Sequence, residues 1–179
     1  MNKRNNEKSS SAAFFVCMFL VCLFLLSCLS ESAFSVKQQK ELPLGEEGIT
    51  EKDISLRVIE YKFTDGYYTN MYSVAFPKDS KLLWIKFAAA NRGKLKEKIP
   101  GYSDVILRYE GDEKNPDWSM YRNNVFFDGE RREEIKWYEG GELVSPNVSR
   151  EGWVYYTVHK DFDTKEAKIS VWGMIWRLE

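Results

Sequence analysis

Cysteine is the first scarcity. The 179-residue chain has three, Cys17, Cys22 and Cys28, and none beyond. Everything downstream forms no internal disulfide, offers no thiolate nucleophile and builds no thiolate metal site, so it must hold its shape by packing. Histidine is scarcer still, with His159 alone. With one imidazole, a metal centre or a catalytic triad would depend mostly on carboxylates. An excess of positive charge is also missing: 26 basic residues face 27 acidic ones. Setting aside Lys3, Arg4, Lys8 and Glu7 of the polar head leaves 23 and 26, a net charge of about −3. A nucleic-acid binder needs a strong positive footprint, so that partner class is excluded. Glycine-rich phosphate loops are absent, and so is any capped run of period 3.6 that would mark a long helix.

What is present divides the chain in two. Met1 to Ser11 is polar and basic, and Ala12 to Leu26 is fifteen residues without a charge. A basic head, an apolar run and a small-residue exit are the parts of an export signal, and the basic head favours the cytoplasmic side. Extended to Leu29, the run has 18 residues. That is the short limit for a membrane span of about 20 residues, so a cleaved signal and an uncleaved anchor both fit. The exit Leu25-Leu26-Ser27-Cys28 resembles the lipobox of bacterial and archaeal lipoproteins, which makes Cys28 the expected lipidation site. Residues 1–28 are thus expected to be a signal peptide or lipoprotein signal and anchor helix. Residues 29–53 follow as a polar tether of no clear periodicity.

From Ile54 to Glu179 the pattern is that of an all-β domain. Ile54, Leu56 and Val58 alternate with polar residues, and the apolar phase then slips by one to Ile59, Tyr61 and Phe63, which predicts a β-bulge. Asp65-Gly66 predicts a hairpin. Leu82 to Ala90 is apolar on both faces except at Lys86, as in a central strand, and Asn91-Arg92-Gly93 ends it. Val105, Leu107 and Tyr109 alternate up to Glu110-Gly111, and Asp112 to Ser119 reads as a polar loop. Val125-Phe126-Phe127, Trp153 to Val158 and a final segment from Ile169 to Trp176 complete the set, the last with Trp172 and Trp176 on one face. Seven or eight short strands predict an immunoglobulin-like β-sandwich. Six Trp, ten Tyr and eleven Phe supply the core, and Trp84, with Trp153 or Val154, is expected inside it.

The order of these motifs resembles a family of immunoglobulin-like domains of unknown function on exported bacterial and archaeal lipoproteins, often mislabelled telomeric repeat-binding factors. The fold of that family is related to the immunoprotective extracellular proteins. The resemblance rests on Lys81 to Asn91, on Asp104 to Gly111 and on Glu151 to Val158. It spans residues 54–176. Gly140-Gly141-Glu142 stands where the family has Pro-Gly-Glu, and His159 replaces a proline commonly found after the later strand. The resemblance implies a fold and an exported location, and it brings no catalytic residues.

No residue set announces a reaction, and no cofactor is expected. His159 reads as an exposed loop residue. Asp112, Asn115 and Asp117, or Asp161 with Asp163, could offer oxygen ligands, yet neither set matches a calcium-binding loop, and both read as turn residues. Tyr67, Tyr68 and Tyr72 form a candidate interaction surface, the alternative being a place in the core. Asn147-Val148-Ser149 is an N-glycosylation sequon, meaningful only in a host that modifies such sites. The expected function is therefore a non-catalytic binding domain held at the outer face of the cell membrane, with an unknown protein or small-molecule partner. A carboxylate-dependent hydrolase and a purely structural envelope component are the rivals.

Overall fold

The computed structural model describes residues 41–69, 73–119, 125–127 and 134–179. The apolar run, Cys28 and Tyr72 lie outside them. In chain order the strands are β1 (Glu41–Leu42), β2 (Glu47–Ile49), β3 (Ile54–Thr64), β4 (Gly66–Thr69), β5 (Ser73–Ala75), β6 (Ser80–Asn91) and β7 (Glu97–Lys98). A 3-10 turn (Tyr102–Asp104) precedes β8 (Ile106–Tyr109), β9 (Asp112–Lys114), β10 (Val125–Phe127), β11 (Leu143–Val144), β12 (Ser149–His159), β13 (Lys168–Val171) and β14 (Met174–Arg177). Among the described residues there is no α-helix.

Two large sheets make the sandwich. One has the order β12-β6-β3-β2, the other β1-β14-β13-β8-β9. The long two-sided strand β6 is central, paired with β3 on one side and β12 on the other. The expected bulge is present: the β3–β6 register shifts between Val58 and Glu60. That shift lets Val58 and Tyr61 both turn toward the same core. Between the two sheets lie Leu56, Leu83, Ile85, Phe87, Val154 and Tyr156 from one, and Leu42, Leu107, Ile169, Val171 and Trp176 from the other.

A third, smaller layer was not foreseen. The sheet β10-β4-β5 covers the opposite face of β6 and encloses a second core of Tyr67, Leu82, Trp84, Phe127, Trp137, Trp153 and Tyr155. Trp84 is fully buried at its centre, with the rings of Tyr155, Phe127 and Trp137 at 5.0, 5.2 and 5.6 Å. Its indole N–H donates to Thr64 Oγ1 at 2.9 Å, so the buried donor is satisfied. The expected burial of Trp84, Trp153 and Val154 holds.

Four expectations need correction. Residues 41–49, expected in the tether 29–53, belong to the domain. β1 pairs with β14 and β2 with β3, Leu42 is buried, and Trp176 Nε1 donates to the Glu46 carbonyl at 2.8 Å. These strands have two and three residues, too few to show a period. Asp65-Gly66 makes a corner instead of a hairpin, because β3 and β4 belong to different sheets. A Cβ at Gly66 would lie 2.2 Å from the Val74 carbonyl oxygen, so close packing is what demands glycine there. The polar stretch after Gly111 contains strand β9. The last segment is two strands, joined at Trp172 (φ +48°) and Gly173 (φ +82°), and Trp172 is exposed while Trp176 is buried. The strand count rises accordingly to fourteen among the described residues.

Candidate binding cleft

At the open edge of the sandwich, the β8–β9 hairpin faces the end of β12 and the turn that follows it. Glu110 (φ +52°) and Gly111 (φ +88°) both adopt left-handed backbone, the geometry of a two-residue hairpin whose twist suits its strands. A cleft of about 450 Å³ opens there. Its apolar part is Leu107, Tyr109, Val158 and Phe162, and its polar part includes Glu110, Asp112, Lys114, His159 and Asp161. Tyr109 and Phe162 lie with ring centroids 4.4 Å apart. Leu107 and Phe162 are core residues, so the cleft is a place where the inter-sheet core meets solvent.

The charges of the cleft are partly committed. Lys114 Nζ donates to the Thr157 carbonyl at 2.6 Å and lies 3.3 Å from Asp117 Oδ2. Asp117 itself closes the outer edge of β12: its N–H donates to the Tyr155 carbonyl at 2.8 Å, and its carboxylate accepts from Thr157 N. An eleven-residue edge strand is thereby denied to other chains along that stretch. The Glu110 carboxylate, hydrogen-bonded to the Tyr109 hydroxyl, raises that phenol above its ordinary pKa, and desolvation adds to the effect. His159 is exposed and sits 3.6 Å from Asp161. A ligand entering here would meet an apolar floor, two aromatic rings and rim carboxylates.

A larger groove of about 880 Å³ crosses the outer face of the five-stranded sheet. There Lys168 and Arg177 are engaged with Glu41, at 2.6 and 3.9 Å, which leaves less for a ligand.

The structure separates the predicted tyrosine surface. Tyr67 faces the second core, its hydroxyl 3.2 Å from Ser119 Oγ, whereas Tyr68 is 42% exposed. Alternation along β4 sets them on opposite faces, a period legible in the sequence once the strand is known. The cross-strand partner of Tyr68 is Phe126. Asp112 and Asp161 line the cleft with His159, whereas Asn115 and Asp163 do not line it. Asp163 caps the turn at Lys165 N, at 3.1 Å. Among the described residues, no three His, Cys, Asp or Glu side chains are placed to hold a metal ion. Asn147 is exposed, in a turn with φ +62°. The cleft itself was missed because its walls come from positions about 50 residues apart, and only His159 and the acidic hairpin hinted at it.

No protein-family model matches the chain, and no curated protein does. A solved structure of an uncharacterized β-sandwich protein from Clostridium difficile 630 aligns with a TM-score of 0.45 at 10% identity, covering 78% of this chain and 92% of that one.

Proposed function

We propose that the chain is an exported, membrane-tethered, non-catalytic binding domain of the cell envelope. Its fold is read as immunoglobulin-like, in keeping with the lipoprotein family that its motifs resemble. The export signal and Cys28 support the location, with the domain on the outer face of the membrane. The observation that carries the binding role is the cleft beside the β8–β9 hairpin. It combines an apolar floor with a polar rim, the usual make-up of a site for a small ligand or a short segment of a partner.

Two measurements test the reading. Cys28→Ser should block lipidation and leave the precursor uncleaved, while Cys17→Ser and Cys22→Ser change nothing. Unchanged processing of the Cys28 variant would replace the lipoprotein signal by an ordinary one. A thermal-shift screen of envelope metabolites and glycans should give a stabilising ligand, worth about 2.7 kcal/mol at a hundred times its Kd. Tyr109→Ala should abolish that stabilisation, read as the shift from the variant's own ligand-free Tm. Turnover of a ligand by the wild type, lost in Asp112→Asn, would decide for the hydrolase instead.

A further inference from the structure

Of the six tryptophans, Trp84, Trp137, Trp153 and Trp176 are buried, while Trp118 is 67% and Trp172 is 44% exposed. Trp172 lies at one end of the five-stranded sheet, and Trp118 packs on the segment that leads into β8 from that end. Trp172 forms the β13–β14 turn there. Trp118 meets Tyr102 edge-on at 5.9 Å, and Tyr102 lies just before β8, whose first residue pairs with Ser170 near that same turn. The chain comes into the domain at this end too. β1 runs parallel to β14, Glu41 opposite Ile175 and Leu42 opposite Trp176, so β1 is reached from the side of Met174 and the Trp172 turn. The β8–β9 turn, and the cleft with it, lies at the opposite end of the sheet.

Trp172 is also an unusual turn residue. At φ +48° it occupies a position that favours Asn, Asp or Gly, and a bulky ring there is strained. Such strain is kept where the placement of the side chain matters. The length of chain before β1 adds a bound. With residues 41–49 locked into the sheets, only residues 29–40 separate the apolar run from the domain. Twelve residues reach at most about 40 Å whatever their conformation. The bound is the same for a lipidated Cys28 and for an uncleaved anchor.

We propose that the end of the domain carrying Trp118 and Trp172 docks on the lipid bilayer, its indole rings in the headgroup layer, and that the cleft faces away from the membrane. The proposal rests on the tethered reading above. Tryptophan favours this interface because its ring is apolar and its N–H polar. Asp104, which caps Gly101 N, stands two residues from Tyr102 at this end.

The test uses the full chain, purified from host membranes and reconstituted into phosphatidylcholine vesicles whose acyl chains carry bromine, a contact quencher of indole. Wild type should co-float with the vesicles and lose part of its tryptophan emission. Trp172→Phe and Trp118→Phe should each remove part of that quenching and the double variant nearly all of it, while Trp84→Phe retains it. Either single variant is informative if the other does not fold, which near-ultraviolet circular dichroism reports. A chain that co-floats without quenching, or quenching that survives the double substitution, overturns the docking alone. A chain that does not co-float overturns the tether and the docking together. Indoles shielded from acrylamide in native membranes but unquenched in the vesicles would assign this end to a protein partner and overturn the lipid proposal.

Discussion

Strand β6 faces two cores of different character. Toward the five-stranded sheet it sends Leu83, Ile85, Phe87 and Ala89 into a largely aliphatic layer that both large sheets enclose. Toward the other side it sends Leu82 and Trp84 into a cluster dominated by aromatic rings. The second core is closed by short pieces: three-residue β10, four-residue β4, and a segment that hangs on the outer edge of β12 through Trp153 N to the Lys136 carbonyl (2.8 Å) and Tyr138 N to the Trp153 carbonyl (3.0 Å). A ring buries more area than an aliphatic chain of similar backbone length. Few residues in short segments can thus close a core that would otherwise need a full sheet.

The comparison is open to direct attack. The largest effects should come from Phe87→Ala in the first core and Trp84→Ala in the second. Each is expected to cost about 3–5 kcal/mol. Chemical denaturation should show both losses. Native-state hydrogen exchange should separate them, with Trp84→Ala releasing residues 134–138 first because few ladder bonds hold them.

Alkaline pH strikes both cores. Burial pushes Tyr138 and Tyr156 of the first core, and Tyr155 of the second, well above the ordinary phenol pKa of 10. A folded-state pKa raised above the unfolded value means that the contribution is complete below pH 10 and falls as pH rises toward the folded value. Stability should therefore hold to about pH 10 and then drop by up to about 1.4 kcal/mol per pH unit for each such tyrosine. Tyr155→Phe should flatten that slope, and a slope unchanged in the variant would remove this tyrosine from the account.

A smaller effect probes the seam between the second core and the edge of the sandwich. A Cβ on Gly152 would stand 2.4 Å from the Trp137 carbonyl carbon and the Tyr138 amide nitrogen, both backbone atoms. Gly152→Ala should cost about 1–3 kcal/mol as overpacking and loosen the segment that covers Trp84, seen as a red-shifted tryptophan emission. Smallest is Tyr67→Phe, which removes the hydroxyl facing Ser119 and should cost about 1 kcal/mol by the same denaturation measurement.

Much of this fold was legible in the sequence. Period-2 alternation located β3, β8 and β12, a run apolar on both faces located β6, and the phase slip after Val58 located the bulge. Asn91, which ends the two-sided strand, has a local reason too. It is fully buried, and its side chain donates to the Leu95 and Val144 carbonyls at 2.7 and 3.0 Å while accepting from Gly93 N at 2.9 Å. Strand pairs of two or three residues escaped because so short a stretch has no measurable period. The Trp172 turn escaped because tryptophan is an improbable residue for left-handed backbone. The cleft escaped because it forms where two sheet edges meet.

The residue pattern by itself determined that the body is all-β, that β6 is central and two-sided, and that no thiol or histidine cluster acts beyond Cys28. Those properties are local: they follow from composition, from a repeat of two and from an unbroken apolar run, which a strand displays along its own length. Tertiary structure alone decided which core each face of β6 meets, that Tyr67 turns in while Tyr68 turns out, and that Glu41 joins the sheet. Glu41 pairs with Ile175. A contact between residues so distant along the chain is fixed by how the sheets pack around a shared core, and no local repeat encodes it.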